Sequence, residues 1–337
     1  MSSYLSSLML FCLALTAFLS GCTTTGELKN QAMLRGFNVM QHENVGWNEP
    51  QAKRSMRRMA KLGTNAIVLI AFLEQDSASA LQVSYSNAVT FRQLQQAIEY
   101  AHELDLEIIL KPQMLVQNSW ASAISHAQQR DWNQWFESYE QHIVRFARFA
   151  ARYRVQSFVI GTELSQASDR VDWPQLIRKV RAVYAGKITY AAHNIEGVQA
   201  FPYWHELDAV ALTLYPSLGH SGQYDEMQAK VLRTVARLEA VAQQFDQPLW
   251  VLEIGMPSAA GAAAKPWEWQ SLKHARVDLK LQRDAIDIWL RALDQPWVDG
   301  VFIWAWYSDA ASGGSADADY TPQNKPAEQM IKRYWRF

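Results

Sequence analysis

Eight short apolar runs, each leading into a longer polar or amphipathic stretch, constrain this chain more than any other feature of its sequence. They are MLRGFNVM (33–40), NAIVLIAF (65–72), LEIILKPQ (106–113), VQSFVIGTE (155–163), KITYAAH (187–193), LDAVALTLY (207–215), PLWVLEIG (248–255) and DGVFIWAW (299–306). Their length and their Val, Ile, Leu and aromatic content read as buried strands. Helical periodicity covers 50–62, 91–104, 131–153, 173–185, 224–245, 274–294 and 326–335, whereas 197–204 leaves room for only a short turn. Strands alternating with helices build parallel sheets, and eight such pairs are the count of a (β/α)8 barrel. A doubly wound sheet is the rival fold, but no GxGxxG or phosphate loop follows an early strand. The alternation therefore predicts an α/β fold with a single (β/α)8 TIM barrel over residues 33–337.

Segments that follow strands are long, at 74–90, 114–130, 256–273 and 307–325, while those entering strands are short, as at Lys61–Thr64. In such a barrel the long set forms the active-site face. Lys plus Arg number 32 and Asp plus Glu 33, so no basic excess points to nucleic acid and a neutral substrate fits better. Asp317 and Asp319 in SADADYTP lack the glycine and closing glutamate of a calcium loop, and HEL at 102 and 205 is not HExxH. No metal or cofactor is expected, and the chain is expected to act as a monomer.

Ahead of the barrel, residues 1–22 read MSSYLSSLMLFCLALTAFLSGC, an apolar segment of signal-peptide length. Its end, Leu19-Ser20-Gly21-Cys22, resembles a bacterial lipobox. On this reading residues 1–21 are a signal peptide, Cys22 carries lipid, and 22–32 form a short tether. The domain is then held at the bacterial cell envelope by a lipid anchor, at the periplasmic face or the cell surface. A transmembrane helix is the alternative, but the run from Tyr4 to Leu19 is interrupted by Ser6, Ser7 and Thr16 and is short for a span. Cys12 and Cys22 are the two cysteines, so no disulfide is expected in the mature domain.

Two strands end on a charge. Glu163 closes VQSFVIGTE and Glu253 stands near the end of PLWVLEIG, although glutamate is rarely buried. By simple alternation Val159, Gly161 and Glu163 share one face, as do Leu249, Val251 and Glu253. A single such Glu is most simply half of a salt bridge. A pair on the fourth and seventh strands of an eight-stranded ring can face each other across a small ligand, the arrangement glycoside hydrolysis requires.

The stretches RGFNV (35–39), IGTEL (160–164), TYAAHN (189–194), LEIGMPS (252–258) and NKPAEQMIKRYW (324–335) resemble glycoside hydrolase family 113, a clan A family of retaining enzymes known for β-1,4-mannanases. The resemblance implies an endo-β-1,4-mannanase-like enzyme with Glu163 as acid/base and Glu253 as nucleophile. It also implies a bond from Tyr215 to the nucleophile. The acid is expected to have a raised pKa, and the nucleophile hydrogen bonds that favour its charge. Thr162 stands where the clan commonly has an Asn touching the sugar 2-hydroxyl, which leaves Asn38 or Asn194 for that contact.

Further substrate-binding candidates are Lys111, Gln113, Thr162 and His193 at strand ends, with Trp304 and Trp306 as stacking surfaces. Trp132, Trp135, Trp289 and Trp335 read as core, whereas Trp47, Trp120, Trp204, Trp267 and Trp269 fall in connections. Lys111 has a rival reading as a Schiff-base lysine, but nothing accompanies it to support carbonyl chemistry. Two other functions stay open at this stage. One is a retaining hydrolase of another β-glycan, glucan or xylan; the other is a non-catalytic sugar-binding lipoprotein on a barrel fold.

Overall fold

Eight parallel strands close on themselves in the computed structural model, which describes residues 32–268 and 274–336. The expected signal peptide, Cys22 and the tether through residue 31 lie outside the described residues, as does Trp269. The strands are β1 Leu34–Met40, β2 Ala66–Gln75, β3 Ser84–Tyr85, β4 Glu107–Val116, β5 Ser157–Thr162, β6 Lys187–His193, β7 Val210–Leu214, β8 Leu249–Ile254 and β9 Gly300–Tyr307. Their order is β1-β9-β8-β7-β6-β5-β4-β2, and β1 also pairs parallel with β2 to shut the ring. The short β3 lies outside the ring, antiparallel to β2, where the sequence suggested only a loop.

Helices α1 Pro50–Ala60, α2 Phe91–His102, α3 Gln129–Arg152, α4 Trp173–Arg181, α5 Asn194–Ala200, α6 Tyr224–Ala242, α7 Leu279–Ala292 and α8 Pro326–Trp335 follow the expected strands. The fold is thus the expected (β/α)8 barrel. Two helices depart most from the sequence reading. A true helix, α5, replaces the short turn, and α7 starts at Leu279 because Asp278 caps it by accepting the Leu281 N–H at 3.0 Å.

Apolar side chains divide into two layers. Val68, Ile70, Ile109, Val159, Ala211, Trp250, Leu252 and Phe302 fill the barrel axis, while the opposite strand faces meet Trp135, Trp173 and Trp289 from the helices. Trp132 and Trp335 are also core, as expected, and so are Trp47 and Trp204 despite their place in connections. Alternation persists along β4, so that Ile109 and Lys111 are both buried on the inner face and Gln113 reaches the cleft above them.

Three strands break that alternation just below the mouth. Val159 pairs with Thr189 but Thr162 with Ala191, three residues advancing against two. Leu212 pairs with Val251 and Thr213 with Glu253, leaving Leu252 extra; Asn38 pairs with Trp304 and Val39 with Trp306, leaving Ala305 extra. Bulges of this kind re-aim the side chains that follow them. Leu249 and Val251 accordingly face the helices, not the axis, and the bulge turns Glu253 inward. Gly161 likewise does not share a face with Val159: a Cβ there would come within 2.8 Å of Trp173 in the outer layer. Simple alternation, as applied to these two strands, is corrected by the structure.

Candidate active site

Both strand-end glutamates open into one cleft of about 530 Å³ at the C-terminal mouth of the barrel. The sequence leads the chain there by different devices. Glu163 follows β5 with φ of +54°, a left-handed conformation that costs a non-glycine residue roughly 1 kcal/mol or more. Its backbone is held on both sides: its N–H donates to Ala191 O at 2.9 Å, and its carbonyl accepts from Ser122 Oγ at 2.7 Å and Ser165 N at 2.9 Å. Glu253 is aimed by the Leu252 bulge, whose carbonyl accepts from Asn38 Nδ2 at 2.8 Å. Asn38 is fully buried and braces that bulge from β1; it does not line the cleft, so a sugar contact at Asn38 is not what the structure offers.

The two carboxylates have unlike surroundings. Glu253 is buried and meets the fully buried Lys111 ammonium through Oε1. Gln113 Nε2 also donates to Oε1, at 3.3 Å, and the Tyr215 hydroxyl donates to Oε2 at 2.9 Å. Burial pushes the Glu253 pKa up, the Lys111 charge pulls it down, and the charge of Glu163 pushes it up again; the result lies above the ordinary carboxylate value. Glu163 keeps a fifth of its side chain exposed and takes two donors on Oε1, Thr213 Oγ1 at 2.6 Å and His193 Nδ1 at 3.1 Å. Burial pushes Glu163 up as well, but these two bonds and the charges of His193 and Lys111 bring it below the ordinary value. This order is the reverse of the one expected from the roles of acid and nucleophile.

Lys111 therefore serves as a counter-ion to Glu253 and not as a Schiff-base lysine, with its ammonium also 5.4 Å from the Trp304 ring centroid. Removing one partner of a buried pair leaves an uncompensated charge. Lys111→Met is expected to cost about 3–5 kcal/mol of stability, measured by denaturant unfolding. It should also raise the Glu253 pKa, because a neighbouring cation no longer favours the carboxylate, and so move the acid limb of any activity to higher pH. An unfolding free energy within about 0.5 kcal/mol of wild type would contradict the pairing.

Aromatic surfaces surround the carboxylates. Trp304 lines the inner part of the cleft, and at the rim Trp120 and Trp267 are 51% and 46% exposed. Trp306 does not join them. The Ala305 bulge turns it outward, where it is fully buried against Phe37 and donates its indole N–H to Ser55 Oγ at 2.9 Å. Thr162 lines the cleft beside Glu163, and its hydroxyl has no hydrogen-bond partner among the described residues. Asn194 lies just behind the cleft and bonds His193 and the Tyr215 backbone.

Sequence reasoning missed Thr213, Tyr307, Asp319 and Tyr320. Thr213 was open to inference from alternation with Tyr215, the residue that follows β7. The other three depend on a tertiary bridge. Lys325, buried, donates to Ser258 Oγ and Asp317 Oδ1 at 2.8 Å each and to Asp319 O at 2.7 Å. That bridge binds the 317–320 segment to the loop after β8, and Asp319 in turn accepts from the Tyr307 hydroxyl at 2.7 Å. The segment is thus a built wall of the cleft, not a freely solvated loop, and Lys325 gives the NKPA stretch a physical task.

A family model described as Glycoside Hydrolase Family 113 matches residues 36–325. Among solved structures, a GH113 β-1,4-mannanase determined as a complex superposes with a TM-score of 0.78 at 27% identity, covering 90% of this chain and 98% of that one. A second GH113 β-1,4-mannanase structure gives 0.77 at 26% identity, covering 91% and 98%. The GH113 β-mannanase AaManA from Alicyclobacillus acidocaldarius, in complex with ManMIm, shares the fold with a TM-score of 0.77 at 24% identity, covering 92% and 99%. No curated protein sequence matches.

Proposed function

This chain belongs to glycoside hydrolase family 113, and on that premise we propose that it cleaves β-1,4-linked mannan or manno-oligosaccharides by double displacement. One observation carries the proposal: two carboxylates with different donor sets, at the ends of the fourth and seventh barrel strands, share an aromatic cleft. Glu253 is the nucleophile. Lys111, Gln113 and Tyr215 hold it in a fixed orientation, so its attack on the anomeric carbon requires little reorganisation. Glu163 is the acid/base. As the glycosidic C–O bond breaks, Glu163 gives its proton to the departing oxygen while Glu253 forms the new C–O bond. Glu163 then takes a proton from water, which attacks the same carbon and releases Glu253.

Mannan as the substrate class is supported by the two β-1,4-mannanases at 26% and 27% identity. The physical side agrees. A neutral chain of sugars offers C–H faces to Trp304, Trp120 and Trp267, and the buried charges of the cleft are already paired within the protein. The rim tryptophans extend the apolar surface beyond the carboxylates, which suits binding of several sugar units and internal cleavage. A panel of β-1,4-linked mannan, glucan and xylan, with products separated by size, tests this. Mannan should be converted fastest and yield oligosaccharides of mixed length at early times. Faster conversion of glucan or xylan would overturn the mannan assignment, and release of monosaccharide alone would overturn internal cleavage.

A further inference from the structure

The side chain of Asn194 is determined from two sides. Its Oδ1 accepts the Tyr215 backbone N–H at 3.1 Å, and its Nδ2 lies 3.0 Å from His193 Nε2. A backbone N–H only donates, so the oxygen must face Tyr215 and the amide N–H must face the imidazole. An amide nitrogen also only donates. His193 Nε2 must then accept, which puts the ring proton on Nδ1, 3.1 Å from Glu163 Oε1, and leaves the ring neutral.

We propose that Asn194 is a positioning residue that holds His193 as the neutral Nδ1–H tautomer, so that Glu163 carries its transferable proton on Oε2. Oε1 is occupied by the His193 and Thr213 donors, whereas Oε2 accepts no hydrogen bond among the described residues. A proton on Oε2 meets no competing donor and is free to reach the departing oxygen. The inference rests on the reading of Glu163 as acid/base.

The device bears on the reversed order of acidities, because a neutral ring removes one of the charges that lower Glu163. Burial lowers the His193 pKa, but the hydrogen bond and charge of Glu163, and then the charges of Glu253 and Glu196, raise it above the ordinary value. An imidazolium would keep Glu163 ionised and spoil it as an acid. Among the groups around the ring, Glu163, Glu253 and Glu196 all favour that charge, and Trp120, edge-on at 5.3 Å, carries none. Lys111 acts on Glu163 from β4 with the same sign as an imidazolium. The Asn194 amide is the contact that opposes it, because a charged ring must set Nε2–H against an amide N–H. With the ring neutral, the remaining influences on Glu163 are its burial, the two bonds on Oε1 and the Lys111 charge.

Asn194 sits at φ of +55°, a conformation that Asp also tolerates, so Asn194→Asp preserves the backbone and the bond from Tyr215 while replacing the donor by an acceptor. Its carboxylate should take Nε2–H and stabilise the imidazolium. At neutral pH kcat/KM on mannotriose should fall about 100-fold, the worth of a general acid. On a dinitrophenyl β-mannoside, whose leaving group needs no proton, it should change less than about threefold. The alkaline limb of kcat/KM should move to lower pH. In the wild-type protein, the imidazole 15N spectrum, with His193 identified by its loss in His193→Gln, should show Nδ1 protonated and Nε2 bare. A protonated Nε2 at the pH of activity overturns the proposal, and so do equal losses on both substrates with an unmoved alkaline limb. If the wild type turns over no β-mannoside, the mannan assignment falls, and the nitrogen spectrum alone decides the tautomer.

Discussion

Glu253→Ala should lower kcat on β-mannosides by about five orders of magnitude, with sodium azide restoring turnover of an activated substrate and giving the α-mannosyl azide. The size follows from the reaction, since without the carboxylate no covalent intermediate forms. The rescue follows from what stays behind. Truncation leaves the fully buried Lys111 ammonium and the Tyr215 hydroxyl around a vacated anion site. A small anion is drawn there and attacks from the face that Glu253 occupied, which inverts the β-linked carbon. The same uncompensated charge should make the variant less stable by about 3–5 kcal/mol, and azide should raise its melting temperature. A kcat within about tenfold of wild type would remove Glu253 from the nucleophile's role.

Glu163→Ala should produce the opposite azide anomer. Loss of the acid slows departure of a sugar leaving group by about three orders of magnitude, but a dinitrophenyl leaving group departs without a proton and still loads Glu253. The intermediate then waits for a water that has lost its base, so a burst of dinitrophenol should precede a slow steady state with a lowered KM. Azide, which needs no base, should attack the intermediate and give β-mannosyl azide. The α anomer, or equal losses on sugar and dinitrophenyl leaving groups, would contradict the assignment. Together the two variants separate the roles of carboxylates that share one cleft, because each is rescued on a different face of the sugar.

The barrel was legible in the sequence because burial on both faces writes each parallel strand as a continuous apolar run, and the runs recur between amphipathic helices. Glu163 and Glu253 stood out for the same reason, as charges at the ends of such runs. What periodicity could not supply was the local geometry. Lys111, Gln113 and Tyr215 fall where strict alternation puts them, since β4 and β7 are regular up to those positions. Trp306, Val251 and Gly161 do not, since each lies beside a bulge that depends on pairing with a neighbouring strand. Asn38 shows the same dependence. A residue that looks like a sugar ligand from its place at a strand end is spent on bracing the Leu252 carbonyl. The wall formed by Asp319 and Tyr320 was beyond reach because Lys325 ties it to Ser258, 67 residues earlier in the chain.

The most direct measurement of the central claim is the configuration of the first product. Mannotriose or a longer oligosaccharide is mixed with the full protein in deuterated buffer, and anomeric proton signals are followed from the first minute, before mutarotation mixes the anomers. Double displacement through Glu253 predicts that the new reducing end appears first as the β anomer, with the α anomer growing in later at the rate of mutarotation. Initial appearance of the α anomer would mean single displacement by water and would contradict the covalent role given to Glu253.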